Sequence, residues 1–456
     1  MQKSFGGAKD ITNFRINVQK KQTVVESSIT YHGLFSEYYF NAGKPEEEKL
    51  MSVQPFCAIS PNLETKEKEY YLSVMMKSKY DGEGIKKFGR PLINCVIVLD
   101  ISGSMSMSFT GDWKRNENTS SKLEVAKRTI IGLTEHLKDD DYLGIVIFDD
   151  DAEVLIPLQK FGEMDMEKFK KTMKELDTRG GTNLEEGFIE GSRMIENHLK
   201  KFKGDEMKEY EHRILYLTDA HPTTGETRSD GLFSLTKKSA EKKIYTTFIG
   251  VGVDFNTELI DVITKTKGAN YYSVNSSSEF KRRMDTEFDY IMTPICFDVN
   301  VTVEGAKIQS IYGSPDSEQK KDTTVAEIST TMPSDVNENG EVQGCVLLLK
   351  MDKSVADGIP LNIVITYKDK YGNDFKEVTN VIFPELSQNQ NEFFEDKSIR
   401  KAILLIRLVD LVKKFHKVND KEKGQKFLEH LKTEIPIIGD EKLNREIDLL
   451  NDLLKD

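Results

Sequence analysis

The residues with the most distinct chemical pattern stand at the end of an apolar run. In CVIVLDISGSMSMS, Cys95 to Ser108, the run stops on Asp100, and hydroxyls follow at Ser102 and Ser104. This Asp-x-Ser-x-Ser turn offers three hard oxygen groups, with Gly103 between the serines to ease the backbone. Two more oxygen residues stand in comparable loops further on, Thr182 in RGGTNLEEG and Asp219 in YLTDAHP. Hard divalent cations such as Mg2+ prefer oxygen ligands in octahedral geometry and keep some of their waters. Two carboxylates and three hydroxyls drawn from three loops meet that demand and leave a coordination position over. Because most of these donors are neutral, an ion held by them stays electrophilic and draws a further negative ligand. Mg2+ is the expected ion, and Mn2+ or Ca2+ suits the same donors.

Other chemistry fits these residues less well. A hydrogen-bonded turn capping the next helix explains Asp100-x-Ser102-x-Ser104, but not Thr182 and Asp219 at matching positions. A strand ending in aspartate also suits the nucleophile of a phosphatase of the haloacid dehalogenase type. That chemistry normally needs a second carboxylate two residues on as general acid, and Ser102 does not serve at neutral pH. No P-loop, Ser-His-Asp constellation or zinc-ligand spacing is visible elsewhere. The expectation is a protein without catalytic activity, a metal-dependent hydrolase being the alternative.

Strand ends must bring these residues together, and the surrounding sequence supplies them. NCVIVLD, YLGIVIFD, RILYLTDA, KIYTTFIGVG and NYYSV read as strands, and AEVLIPL as an edge partner of the second. Between them, SKLEVAKRTIIGLTEHLKDDD carries Leu123, Ala126, Ile130, Leu133 and Leu137 at helical spacing. TNLEEGFIEGSRMIENHL reads as a helix capped by Thr182 or Asn183, NTELIDVITKT as another, and SSEFKRRMDTEFDYIM as a last one. Alternating strand and helix defines an α/β fold, a doubly wound and mostly parallel six-stranded sheet. Such sheets bind ligands beyond the carboxyl ends of their strands, where strand order reverses. Asp100 and Asp219 both end strands.

The flanks differ. QTVVESSITYHG and KEYYLSVMMKS before the block, and CFDVNVTVEG, GEVQGCVLLLKM, PLNIVITYKD and KEVTNVIFP after it, read as antiparallel strands. The earlier segment has too few strands for its own core, so the two are expected to share one β-sandwich into which the α/β block is inserted. From Asn391 on, Ile399, Ala402, Ile406 and Val409, then Phe427 and Leu431, then Leu443, Ile447, Leu450 and Leu454 mark a helical bundle. The expected organisation is residues 1–90 as the first β segment, 91–292 as the α/β domain, 293–388 as the second β segment and 389–456 as the helical region.

Composition narrows the function classes. At 456 residues the chain exceeds what one core organises, and 38% hydrophobic with 31% charged residues fits a soluble fold. No apolar run approaches the ~20 residues of a membrane span. The opening MQKSFGGAKDITNF lacks the apolar core of a secretory signal. Cys57, Cys95, Cys296 and Cys345 show no CxxC spacing, so free thiols in a reducing compartment and a cytoplasmic location are expected. A net charge of −12 with both signs interleaved argues against nucleic acid and anionic lipid as partners.

From about Pro91 to Met292 the sequence resembles a von Willebrand factor type A (VWA) domain. The family's metal-ion-dependent adhesion site (MIDAS) falls on Asp100, Ser102 and Ser104, its threonine on Thr182 and its later aspartate on Asp219. The resemblance implies that the serines and the threonine contact the metal directly or nearly so, while the aspartates act mostly through bound water. It also implies an interaction module whose metal is completed by a partner protein's Asp or Glu. The flanks are more loosely similar to multi-domain proteins of the inter-alpha-trypsin inhibitor heavy chain and calcium-activated chloride channel regulator type, without the HExxH motif of the latter. The alternative role is a structural subunit of a large assembly whose metal site is not used dynamically. Trp113 and Arg115 in the long polar loop after Ser104, Arg179 before Gly180-Gly181, and His221 are candidate partner contacts at the rim.

Overall fold

A computed structural model describes residues 11–19, 29–44, 46, 48–108, 120–219, 225, 229–251, 266–274, 276–284, 287–313, 324–387, 389–418 and 421–455. The chain folds as two units. Among the described residues, one is Ile85–Pro294 and the other joins the chain from Ile11 to Gly84 with the chain from Ile295 on.

The unit Ile85–Pro294 is built on a six-stranded sheet in the order Ala152–Lys160, Tyr142–Phe148, Leu92–Asp100, Tyr210–Thr218, Ile244–Val251 and Asn270–Val274. All neighbours are parallel except Ala152–Lys160, which returns antiparallel on Tyr142–Phe148 as an edge hairpin. Leu92–Asp100 reads as one apolar run because both of its faces are covered. Ile93, Cys95, Ile97 and Leu99 join the core that includes Leu123, Ala126, Ile130, Phe280 and Met284. Val96 and Val98 join the opposite core with Leu184, Phe188, Ile195 and Leu232. Strand order reverses between Leu92–Asp100 and Tyr210–Thr218, so the adjacent carboxyl ends at the switch point carry Asp100 and Asp219.

Local sequence sets the helices. Ser121 caps Lys122–Leu133 by accepting from Glu124 N at 3.1 Å, and Asn183, not Thr182, caps Leu184–Leu199 by accepting from Glu186 N at 3.3 Å. The amphipathic Met166–Glu175 buries only Phe169 and Met173, and its last carbonyls are met from outside: Lys127 Nζ donates to Lys174 O and Leu176 O at 3.0 and 2.8 Å. The single last helix expected over SSEFKRRMDTEFDYIM is two helices, Ser277–Met284 and Phe288–Ile291. The helix expected over NTELIDVITKT lies almost wholly outside the described residues.

In the other unit, Met51–Pro61 and Lys68–Ser78 pair antiparallel, and Lys68–Ser78 pairs in turn with Val346–Met351. Segments on either side of Ile85–Pro294 therefore share one five-stranded sheet. A four-stranded antiparallel sheet runs in the order Thr324–Thr331, Cys296–Glu304, Leu361–Lys368 and Asp374–Val381. Helix Lys397–Val418 packs on Met51–Pro61, Val346–Met351 and helix Lys421–Ile438, which packs on Asn444–Leu454. One strand expectation fails. Within QTVVESSITYHG, the described part turns into the short helix Tyr31–Phe35, because Thr30 Oγ1 accepts from Gly33 N at 3.2 Å and caps it.

Candidate metal centre

Asp100 ends its strand wholly buried, and both carboxylate oxygens have donors. Ser102 N donates to Oδ1 at 2.8 Å and Thr218 Oγ1 to Oδ2 at 2.6 Å. Ser102 and Ser104 hydroxyls share a hydrogen bond at 3.1 Å. Gly103–Ser106 is a 3₁₀ turn with Met105 buried beneath it. Gly103 plays a smaller part than expected: a Cβ there would meet only Gly180 O at 3.6 Å, an ordinary contact. What matters is the backbone, since Gly103 N donates to Gly180 O at 3.2 Å and ties the serine turn to the loop that carries Thr182.

That loop is fixed from several sides. Arg179 N donates to Ile101 O at 2.8 Å and Asn183 N to Asp149 O at 2.7 Å. Gly180 has φ +64°, and a Cβ on it would stand 2.8 Å from Asp150 Oδ2, so this position requires glycine. Gly181 N donates to the same Asp150 Oδ2 at 3.0 Å. Thr182 itself is buried. Arg179, expected at the rim for a partner, uses its guanidinium on Asp149 Oδ2 at 2.6 Å and on Glu153, clamping the Asp149–Asp151 turn to the threonine loop. Trp113, Arg115 and His221 lie outside the described residues.

Asp219 follows Thr218 directly and is as buried as Asp100. Its two oxygens are unequal. Oδ2 accepts from Lys122 Nζ at 3.1 Å, whereas Oδ1 is buried without any hydrogen-bond partner. Burial and the neighbouring Asp219 charge push the Asp100 carboxyl up to about 7, against the hydrogen bonds from Ser102 and Thr218. Of the two neighbouring buried carboxylates only Asp219 meets an ammonium, and an orphaned carboxylate oxygen is costly to bury. Both conditions fit a divalent cation among these oxygens. Among the described residues no group of three or more His, Cys, Asp or Glu could hold a metal, so the hydroxyls are indispensable to this donor set.

Lys122 and Thr218 escaped the sequence reading. Thr218 had a signal, a hydroxyl one residue before a strand-end aspartate. Lys122 had only a weak one: a cation at the first position of a helix, where the dipole disfavours it.

Part of the chain matches a known protein family. Residues 94–286 match the family model described as the von Willebrand factor type A domain. The chain thus contains a VWA domain, and the switch-point oxygens just described lie within it. Inter-alpha-trypsin inhibitor heavy chain H3 of Mesocricetus auratus is 21% identical over 220 residues, 47% of this chain and 23% of that protein. An uncharacterized protein of Synechocystis sp. is 25% identical over 187 residues, 41% of this chain and 39% of that one. The chain thus spans about a quarter of the heavy chain's length. Among solved structures, a von Willebrand factor type A protein from Catenulispora acidiphila aligns over 87% of this chain and 84% of its own at 12% identity, with a TM-score of 0.48.

Proposed function

We propose that the VWA domain is a non-catalytic interaction module in which Asp100, Ser102, Ser104, Thr182 and Asp219 hold a divalent ion, Mg2+ foremost, that a partner protein completes with an Asp or Glu carboxylate. Domains of this family commonly mediate protein–protein interaction. The observation that carries the reading is Asp219 Oδ1, buried and unpartnered, with the second buried carboxylate of Asp100 near enough for the two charges to repel. When bound, the ion supplies an electrophilic position for an external carboxylate. The chain's residues supply the rest: Thr218 and Ser102 N orient Asp100, and Gly103 and Gly180 hold the serine and threonine loops together. Such coordination exceeds what an exposed carboxylate–lysine pair offers, about 0–1 kcal/mol.

The buried free cysteines support a reducing, cytoplasmic setting as part of this reading: burial pushes the thiols of Cys57, Cys95 and Cys296 up to about 12, away from the thiolate that oxidises. The same reading takes the two antiparallel sheets as halves of one sandwich and the three C-terminal helices as its attached bundle.

Substituting Asp219 is a poor test, since it strands the buried Lys122 charge, and breaking such a pair costs about 3–5 kcal/mol. The cleaner probe is Ser102→Ala with Ser104→Ala, which removes two hydroxyls that bond to each other, Ser102 also to Asp100, and strands no buried cation. Isothermal titration should show Mg2+ binding to the wild type that the double variant loses, and affinity purification should lose the same partners in EDTA and in the variant. Wild-type protein that takes up neither Mg2+ nor Mn2+ would sink the proposal.

A further inference from the structure

Among the described residues at the candidate metal centre, Lys122 is a feature that a metal site does not ask for. It is the first residue of helix Lys122–Leu133, where the helix dipole opposes a cation, and its side chain is about 1% exposed. Its position is fixed: Lys122 N donates to Met107 O at 2.8 Å, and Met107 N donates to Ser104 O at 3.1 Å, so the helix start is tied to the serine turn. Its ammonium donates to Asp219 Oδ2 at 3.1 Å, leaving the other oxygen of that carboxylate unpartnered. A buried cation at the wrong end of a helix, on an aspartate of the proposed donor set, needs a reason.

A local charge tally supplies one. Ligands to a metal must be deprotonated, so in the ligating state Asp100 and Asp219 give −2 and Lys122, paired with Asp219, gives +1, and the donor set stands at −2 + 1 = −1 before the ion is counted. A divalent ion brings it to +1, and one external carboxylate brings it to zero. Without Lys122 the same two aspartates would neutralise the ion unaided and leave nothing for a partner's acid to cancel. Resting on the metal reading above, we propose that Lys122 is a resident counter-ion that keeps the divalent ion weakly held and positively biased, so that metal and acidic partner bind as a pair. Metal affinity in oxygen-ligand sites follows the count of ligand charges, and a fixed cation in contact with a ligand lowers that count.

The test is Mg2+ titration by calorimetry of the full chain as wild type, Lys122→Met and Lys122→Gln. Met keeps the stem's volume, and Gln also keeps a hydrogen-bond donor for Asp219 without the charge. The resident-cation role is borne out by Mg2+ binding at least about tenfold tighter in both variants than in the wild type. It is also borne out by a larger Mg2+-induced rise in melting temperature, which stays measurable if Lys122→Met folds only with metal. Equal or weaker binding in both variants would make Lys122 a positioning residue and overturn the inference, with the metal reading intact. Tightening in Lys122→Met but not Lys122→Gln would overturn it too, because both lack the charge. A wild type that binds no Mg2+ would remove the metal reading itself, before any variant is compared.

Discussion

At Asp100, a single hydroxyl decides how a buried charge is held. Thr218 Oγ1 supplies one of the two donors to this carboxylate, at 2.6 Å, and burial with Asp219 nearby works against the charged form. Thr218→Val keeps the shape and removes the donor. A buried acceptor stripped of its partner costs about 1–3 kcal/mol. The metal-free variant should therefore melt lower by several degrees while keeping its circular dichroism spectrum. Its Mg2+ affinity should also drop, because Asp100 is then less firmly oriented and less readily ionised. Calorimetric titration beside a thermal melt checks both. Unchanged stability and affinity would show that Ser102 N suffices to hold Asp100. The contrast with Lys122 is informative about legibility. Asp100, Ser102, Ser104, Thr182 and Asp219 could be singled out because each stands where an apolar run or a Gly pair breaks. Lys122 and Lys127 look like the solvated side of an amphipathic helix, and apart from the unfavourable helix-start position of Lys122 SKLEVAK does not tell that both are buried against partners from other elements.

Helix Leu184–Leu199 shows two different ends. Its first turn follows Thr182 of the candidate metal centre; its last turn carries His198 against Tyr142, at the amino end of the strand Tyr142–Phe148. There the His198 ring packs on Tyr142 at 4.4 Å and Phe202 at 5.0 Å between centroids, and neither nitrogen has a partner. Burial, helped by Lys201, lowers its pKa from 6.5 to about 4. His212, hydrogen-bonded to Asn94 Nδ2 at 3.3 Å, is likewise lowered to about 4 by burial, His198 and Lys243. The unfolded chain takes up these protons from its ordinary value downward, while the folded chain resists until about 4. The stability tied to both rings is thus fully present above 6.5 and drains away as pH falls toward 4. His198→Phe keeps an aromatic ring and removes two unsatisfied buried nitrogens. It should leave stability equal or up to about 1 kcal/mol higher near pH 7, with a larger gain near pH 5. Urea denaturation at the two pH values decides, and parallel losses in variant and wild type would clear His198 of any part in acid sensitivity. Elements of this kind were unevenly legible. Parallel strands announce themselves as apolar runs, whereas Met166–Glu175 shows only Phe169 and Met173 on an otherwise charged helix. Met51–Pro61 hides behind Pro55, Cys57 and Ser60, tolerable because its outer neighbour is only the two-residue strand Phe393–Phe394.

Across the whole chain, the five-stranded sheet is the element least deducible from sequence, because it depends on a pairing between distant segments. Leu72 faces Leu349 and Met75 faces Val346, with all of Ile85–Pro294 lying between them in sequence. Such long closures are entropically tolerable, since each doubling of a loop adds only about 0.6 kcal/mol. Within the antiparallel unit, the chain before Ile85 and the chain after Pro294 are tied to the same segment. Gly82 N donates to Ser334 O at 2.9 Å, and Ile295 N donates to Thr331 O at 2.8 Å, so the two flanks of the insertion are pinned to one short stretch of chain. Thr331 and Ser334 are three residues apart, about 10 Å at full extension. Asp81 reinforces the first anchor by accepting from Ser334 N at 2.8 Å and Ser78 N at 2.7 Å. Neighbouring termini at an insertion point are what let a domain be inserted without disturbing its host. Joining Gly84 to Ile295 through a short Gly/Ser linker should therefore give a soluble protein with a β-rich circular dichroism spectrum and a single cooperative urea transition. Ile85–Pro294 made separately should also fold, because both faces of its sheet carry their own cores. If the joined protein aggregated or unfolded without cooperativity while Ile85–Pro294 alone stayed folded, the antiparallel unit would depend on the VWA domain for more than chain continuity. Asp81→Ala in the intact chain would then separate a lost anchor from a lost neighbour, lowering the melting temperature only if the pinned ends matter.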